Sequence, residues 1–340
     1  MKRLVLVLPL VLLLAACGGS SKKASDTATT GTSGKSIKVG LVTDINQLND
    51  HGFNQLAYEG LQRAERKLGV KGSVLQSPSA QDYIPNLSSL AQKGYDLVIG
   101  VGFDQAAAVD KVAAKFPKTN FAIIDVDQQS LAHKPANVLG LLFREQEAGY
   151  LVGYLAGLEV KRSGGKTVST VGGEKQPPVD RYIAGFRAGA KAADPGVKLL
   201  NGYSQDWVDT AKCKELALNQ IAAGSKVVFQ VAGGCGLGVL DAAKQKKVWG
   251  IGVDADQSFL GPQVLTSALK RVDSAVYDTI KQVQDGSFKG GTNAVFGLDR
   301  AGVGVGKVSP KVPKSALASL DAIEKKIIDH KLGSIPTTVP

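Results

Sequence analysis

Residues 226–257, KVVFQVAGGCGLGVLDAAKQKKVWGIGVDADQ, constrain the chain more than any other stretch. Residues 227–231 form a continuous apolar run, the character of a strand buried on both faces. Gly233, Gly234, Gly236 and Gly238 then make a turn, 239–245 reads as a short helix, and 248–253 is a second apolar strand closed by Asp254 and Asp256. Strand, glycine turn, helix, strand is a βαβ unit, and parallel strands need such a crossover. The acids and bare amides then lie beyond the carboxyl ends of the strands, where open α/β sheets bind ligands. Gly234 and Gly236, with Asp254 downstream, imitate a dinucleotide fingerprint, but Val239 stands where the third glycine belongs. No redox domain and no cofactor is expected.

The same alternation runs through the chain. Strands at 37–43, 73–76, 96–101, 120–124 and 138–143 are separated by helices at 53–68, 83–92 and 105–115. It restarts with a helix at 146–160, strand 167–171, helix 181–193, strand 198–202 and helix 209–223. After the βαβ unit come strand 264–269 and a helix reaching 284. Two series of similar size predict an α/β protein of two doubly wound, Rossmann-like lobes joined by a hinge. The expected lobes are 37–143 plus about 266–296, and 144–265 plus about 297–340, with a last helix at 314–329 packing back. The 40 glycines and 6% aromatic residues suit many tight βα turns better than a β-sandwich.

The start of the chain predicts an address. Lys2 and Arg3 precede an apolar run at 4–14 and then Ala15-Ala16-Cys17, the pattern of an export leader over 1–16. Its Leu-Ala-Ala-Cys ending resembles the lipobox of bacterial lipoproteins, which implies lipid on Cys17 and a protein anchored outside the cytoplasm. Residues 17–36, rich in Gly, Ser, Thr, Ala and Lys, read as a flexible tether. The formal net charge of +11 includes Lys2 and Arg3, so the processed chain carries +9 (11 − 2). Lysines such as Lys111, Lys115, Lys118, Lys244, Lys246 and Lys247 lack interleaved aromatics, so no nucleic-acid partner is expected. His51, His133 and His330 are dispersed, and no metal site is predicted. Cys213 near a helix start and Cys235 in the glycine turn share one sheet edge; a disulfide and two buried thiols both remain open.

Strand-end loops of both lobes would face a shared cleft. The first lobe offers Asp44, Asn46, Asp50, Phe53, Phe103, Asp125 and Asp127; the second offers Trp207, Asp209, Gly233, Gly234, Asp254 and Asp256, with Lys270 nearby. Phe53 and Trp207 could clamp a flat ring, while carboxylates and glycine amides take ring nitrogens and hydroxyls. No nucleophile elbow and no phosphate-cradling G-x-x-x-x-G-K-[ST] occurs, so a binding protein is expected and not an enzyme.

Several blocks carry a resemblance: GLVTDINQLNDHGFNQLAYEGL (40–61), FREQEAGYLVGYLAG (143–157), SQDWVDTAKCKELA (204–217), VVFQVAGGCGLGVLDAAK, WGIGVDADQS and LTSALKRVD (265–273). In order and over essentially the whole chain after 36, it resembles the basic membrane protein family of bacterial substrate-binding lipoproteins, which includes purine nucleoside receptors. The resemblance implies the type I periplasmic binding protein fold, usually monomeric, which donates its ligand to the permease and ATPase subunits of an ABC-type importer. It further implies that Phe53 and Trp207 sandwich a base, that Asp44 and either Asp125 or Asp127 contact that base, and that Gly233, Asp254 and Lys270 hold the ribose. Some receptors carry Asn directly after the first Asp; this chain has Ile45 there, with Asn46 as substitute. The same fold binding a sugar or signalling molecule is the alternative, and an exported nucleoside-processing enzyme a further one.

Overall fold

The computed structural model describes residues 36–339; the predicted leader, Cys17 and all of the tether but Ser36 lie outside them. The chain runs β1 (Lys38–Val42), α1 (Phe53–Leu68), β2 (Lys71–Leu75), α2 (Tyr83–Gln92), β3 (Leu97–Gly100), α3 (Ala106–Lys115), β4 (Asn120–Ile124) and β5 (Val138–Phe143). It continues α4 (Glu145–Arg162), β6 (Thr167–Gly172), α5 (Pro177–Ala193), β7 (Lys198–Tyr203), α6 (Thr210–Ala222), β8 (Ser225–Val231), α7 (Leu237–Lys246), β9 (Trp249–Asp254) and β10 (Val264–Lys270). It ends with α8 (Val272–Asp285), β11 (Thr292–Phe296), β12 (Val303–Val305) and α9 (Lys314–Ile328).

These strands form two six-stranded sheets with the same winding, β11-β5-β4-β3-β1-β2 and β12-β10-β9-β8-β6-β7. The first is wholly parallel. In the second only β12 runs antiparallel to its neighbour. Helices cover both faces, which is why β3, β6 and most of β8 and β9 are buried along their length; β3 is correspondingly apolar, whereas β6 (TVSTVG) buries three hydroxyl side chains.

The chain passes between sheets three times: after β5, after β10 and between β11 and β12. The crossing expected near 266 is corrected, because all of β10 belongs to the second sheet and the passage follows Lys270. Helix α8 then packs on α1 of the first lobe, where the Arg63 guanidinium lies 4.3 Å from the Tyr277 ring centre. Helix α5 begins at Pro177 and not at 181. Proline in the first turn costs no hydrogen bond, since those N–H groups have no intrahelical partner anyway.

Helices α4 and α5 meet backbone to backbone. Gly149, Gly153 and Gly157 of α4 face Tyr182, Phe186 and Ala190, and a Cβ at Gly153 would collide with the Phe186 carbonyl. A side chain on that stripe must push the helices apart. Cys213, in the first turn of α6, is joined by a disulfide to Cys235 in the glycine turn, with Cα atoms 5.6 Å apart. The bridge closes a loop of separation 22, so Cys213→Ser should lower stability by about 3 kcal/mol. Thermal melts with and without reductant check this: the unfolding midpoint should fall by several degrees on reduction of the wild type and be insensitive to reductant in the variant.

Candidate functional site

The cleft between the lobes is lined from both sheets at their carboxyl ends. Asp44 follows β1, Phe103 follows β3, and Asp125 comes directly after β4. From the second lobe, Trp207 lies after β7, Gly233 after β8, Asp254 ends β9 and Lys270 ends β10. Asn46 and Phe53, the first residue of α1, complete the predicted residues that the structure brings together here. Asp125 and Asp254 sit at equivalent places in the two windings, and both hold left-handed backbone, with φ of 68° and 63°. The cleft is a narrow slot. Its volume is about 60 Å³.

Three carboxylates in the slot share one arrangement, in which one oxygen is held by the protein and the other is free. Oδ1 of Asp44 accepts from the Asn46 backbone N–H (2.8 Å), from Asn54 Nδ2 (2.6 Å) and from Asn46 Nδ2 (3.3 Å). Its Oδ2 accepts nothing among the described residues and lies beside Gly102. Burial pushes the Asp44 pKa up to about 7, against the lowering effect of the Asn54 and Asn46 donors. Oδ1 of Asp254 accepts from the Tyr182 hydroxyl (3.3 Å), and its other oxygen has no donor among the described residues. Burial likewise raises Asp254 to about 7, with the Lys270 charge opposing. Asp125 receives Lys270 Nζ on Oδ2 at 2.6 Å, while its Oδ1 is buried without a partner.

Lys270 is the hub of this end. Its buried ammonium also lies 3.0 Å from Oε1 of Glu145, whose other oxygen is 3.3 Å from Arg181. Burial works against the lysine's charge, but the carboxylates of Asp125, Glu145 and Asp254 outweigh it and hold its pKa above the usual lysine range. For Glu145, burial is the larger effect and raises its pKa in spite of Lys270.

The aromatic arrangement differs from a simple Phe53–Trp207 clamp. Trp207 meets Phe103 across the cleft, edge to face, at 5.8 Å and 60°, whereas Phe53 lies 5.2 Å from the Lys270 ammonium. The indole of Trp207 rests on Gly173, where a Cβ would fall 2.7 Å or less from three ring carbons. Its buried Nε1 has no hydrogen-bond partner among the described residues. Gly173→Ala should therefore displace the indole: ligand affinity measured by calorimetry falls by about tenfold or more while the melting temperature changes little.

Asp127 does not reach the cleft. Its Oδ1 accepts from Gln129 N (2.8 Å) and Asn293 Nδ2 (2.7 Å), capping a short turn. Among the wider candidates, Asp50 takes the amides of Gly52, Asn54 and Gln55 at the start of α1, and Asp209 caps α6. Asp256 accepts from Ser258 and Lys307, and Gly234 does not line the slot. Sequence reasoning missed Tyr182, Glu145 and Arg181. A tyrosine or charge on the inner face of a helix needs a partner for its polar end, and that requirement was the signal available.

The lobes touch at the rim of the slot. Gln257 Nε2 donates to the His51 carbonyl at 3.1 Å. The second lobe aims this donor: Gln257 Oε1 accepts from Gln230 Nε2 (2.9 Å) and Val253 N (3.3 Å). Beside it the His51 and Phe259 rings pack edge-on at 5.3 Å. A Cβ on Gly233 or Gly234 would make ordinary van der Waals contact with the Asn46 amide at 3.4 Å, and what favours glycine at 233 is its left-handed backbone, with φ of 54°.

Known proteins resemble this chain in sequence and in fold. Residues 37–338 match the model of the Bmp family, described as ABC transporter substrate-binding protein PnrA-like. The chain is 36% identical to the ABC transporter nucleoside-binding protein BmpA of Lactococcus lactis, over 87% of this chain and 91% of that one. It is also 36% identical to the CD4+ T-cell-stimulating antigen of Listeria innocua, over 93% and 92%. Among solved structures, an ABC transporter solute-binding protein from Aeropyrum pernix superposes with a TM-score of 0.79 at 26% identity, covering 88% of this chain and 94% of its own. Relatives named as lipoproteins occur in Pyrococcus, for example one 38% identical over 80% of this chain.

Proposed function

The chain belongs to the Bmp family of PnrA-like ABC transporter substrate-binding proteins, and from that premise we propose that its cleft captures a nucleoside, preferentially a purine one. The observation that carries the reading is the set of three carboxylates, each with one oxygen committed and one free, in a slot that also presents the rings of Phe53, Phe103 and Trp207. Such a site wants a flat ligand with hydrogen-bond donors at both ends. A nucleoside has ring N–H or amino donors at the base and hydroxyls on the sugar. The nucleoside-binding name of the Lactococcus relative supports the same class.

In this reading Phe53, Phe103 and Trp207 surround the base and Asp44 receives its donors. Asp254, Lys270, Asp125 and the Gly233 amide take the ribose. A nucleoside exceeds the slot's volume of about 60 Å³, so the lobes part to admit it and re-form the Gln257–His51 contact around it. The permease and ATPase subunits of an importer are the partners, and a monomer held to the membrane through Cys17 is the delivering form. Binding, not turnover, is the activity.

Calorimetric titration of protein unfolded and refolded to remove carried-over ligand tests the reading, against adenosine, guanosine, inosine, cytidine, uridine and ribose. Saturable binding of nucleosides, purines tightest, is expected, with free ribose far weaker. Silence from every nucleoside overturns it. The free carboxylate oxygens would also suit a sugar's hydroxyls; in that case ribose or another sugar binds and Trp207→Ala leaves affinity nearly intact.

A further inference from the structure

A second concavity, unconnected with nucleoside capture, lies at the opposite edge of the second lobe. It holds about 500 Å³ and sits where β8 and β9 begin and α7 ends, at the amino ends of the strands whose carboxyl ends form the cleft. Lys226, Lys244, Lys246, Lys247 and Lys311 converge on it, and no aspartate or glutamate among the described residues lines it. None of the five pairs with a carboxylate among the described residues, although eight other lysine–carboxylate contacts occur there. Trp249 supplies a half-buried aromatic surface, with the Lys311 ammonium 5.7 Å from its ring centre.

Part of this charge has a local cause. Lys244 and Lys246 occupy the last turn of α7, where cations complement the helix's negative end. Lys226 and Lys311 do not: one stands near the start of β8 and the other in the segment before α9. Their convergence adds like-charge repulsion with no compensating acid. We propose that this concavity binds an anion bearing two or more phosphate groups, the lysines acting as point charges on its oxygens. Two sources share that chemistry: a soluble polyphosphate, or adjacent phosphate headgroups of an anionic lipid surface.

The test uses the full chain at low ionic strength, with wild type and variants in one background so that any contribution of the N-terminal segment cancels. One arm titrates inorganic tripolyphosphate. The other measures co-sedimentation with phosphatidylcholine vesicles with and without phosphatidylglycerol. Lys226, Lys244 and Lys311 changed together to Gln should weaken binding by about tenfold or more, whereas Lys111, Lys115 and Lys118 changed to Gln should not. Nucleoside affinity should be the same in all three proteins. Loss confined to the tripolyphosphate arm identifies a soluble ligand, and loss confined to the phosphatidylglycerol arm a membrane surface. Either result supports the site. Absence of binding in both arms, or equal weakening by the two triple variants, overturns it, and does so whatever the cleft binds.

Discussion

Asp44→Asn is expected to make the empty protein more stable at pH 8 and to remove most of its ligand affinity. All three protein donors to Asp44 go to Oδ1, so an asparagine keeps them and changes only the atom at Oδ2 from acceptor to donor. A ligand N–H that met a charged acceptor now meets an N–H, and affinity should drop by about a hundredfold or more. Stability moves the other way. The folded pKa of about 7 lies above the ordinary 3.8. The folded state therefore holds a proton that the unfolded chain has released between these values, and the associated stability is full below about 4 and lost as pH rises through 7. At pH 8 the buried charge costs on the order of 4 kcal/mol at most. Asp44→Asn removes that cost, so its melting temperature should exceed wild type clearly at pH 8 and little at pH 5. By the same sign, wild-type affinity should decline below pH 7 by roughly tenfold per pH unit for each of Asp44 and Asp254 that must be charged to bind. A less stable variant at pH 8 would show that burial is not what strains Asp44.

Lys270→Met is expected to be among the most destabilising single changes outside the apolar core. It leaves Asp125 and Glu145 buried with their shared cation gone, for a loss of about 3–5 kcal/mol in denaturant unfolding. Adding Glu145→Gln should restore part of that loss, because it removes one of the stranded charges. Nucleoside binding should not return with it, since Asp125 would still lack the ammonium that holds its Oδ2. If Glu145→Gln gives no recovery, the two groups are not energetically coupled and the network is a geometric coincidence.

The winding was legible because most of the doubly covered parallel strands carry an apolar run. β4 and β5, and helices α1 and α2, fall where the apolar pattern puts them. β11 escaped because TNAVF is a partly exposed edge strand with no continuous apolar run, and β12 is only three residues long. At the site, sequence could say that acids end the strands but not which of them turn inward. Asp44, Asp125 and Asp254 look no different from Asp50, Asp127 and Asp209, which spend their oxygens on helix and turn amides. Only the fold separates a cleft-facing carboxylate from a cap.

The interleaving of the two sheets has a consequence for how the protein is made. The first sheet begins with β1 but acquires its edge strand β11 only at residues 292–296, and the second takes β12 later still. Neither half is therefore complete as a continuous piece of chain emerging from the ribosome, and the long-range closures come last. Until then β5 and β10 present unpaired edges, which in a nascent chain are sites for pairing with other molecules. An exported protein of this topology gains from staying unfolded until its whole length has been released.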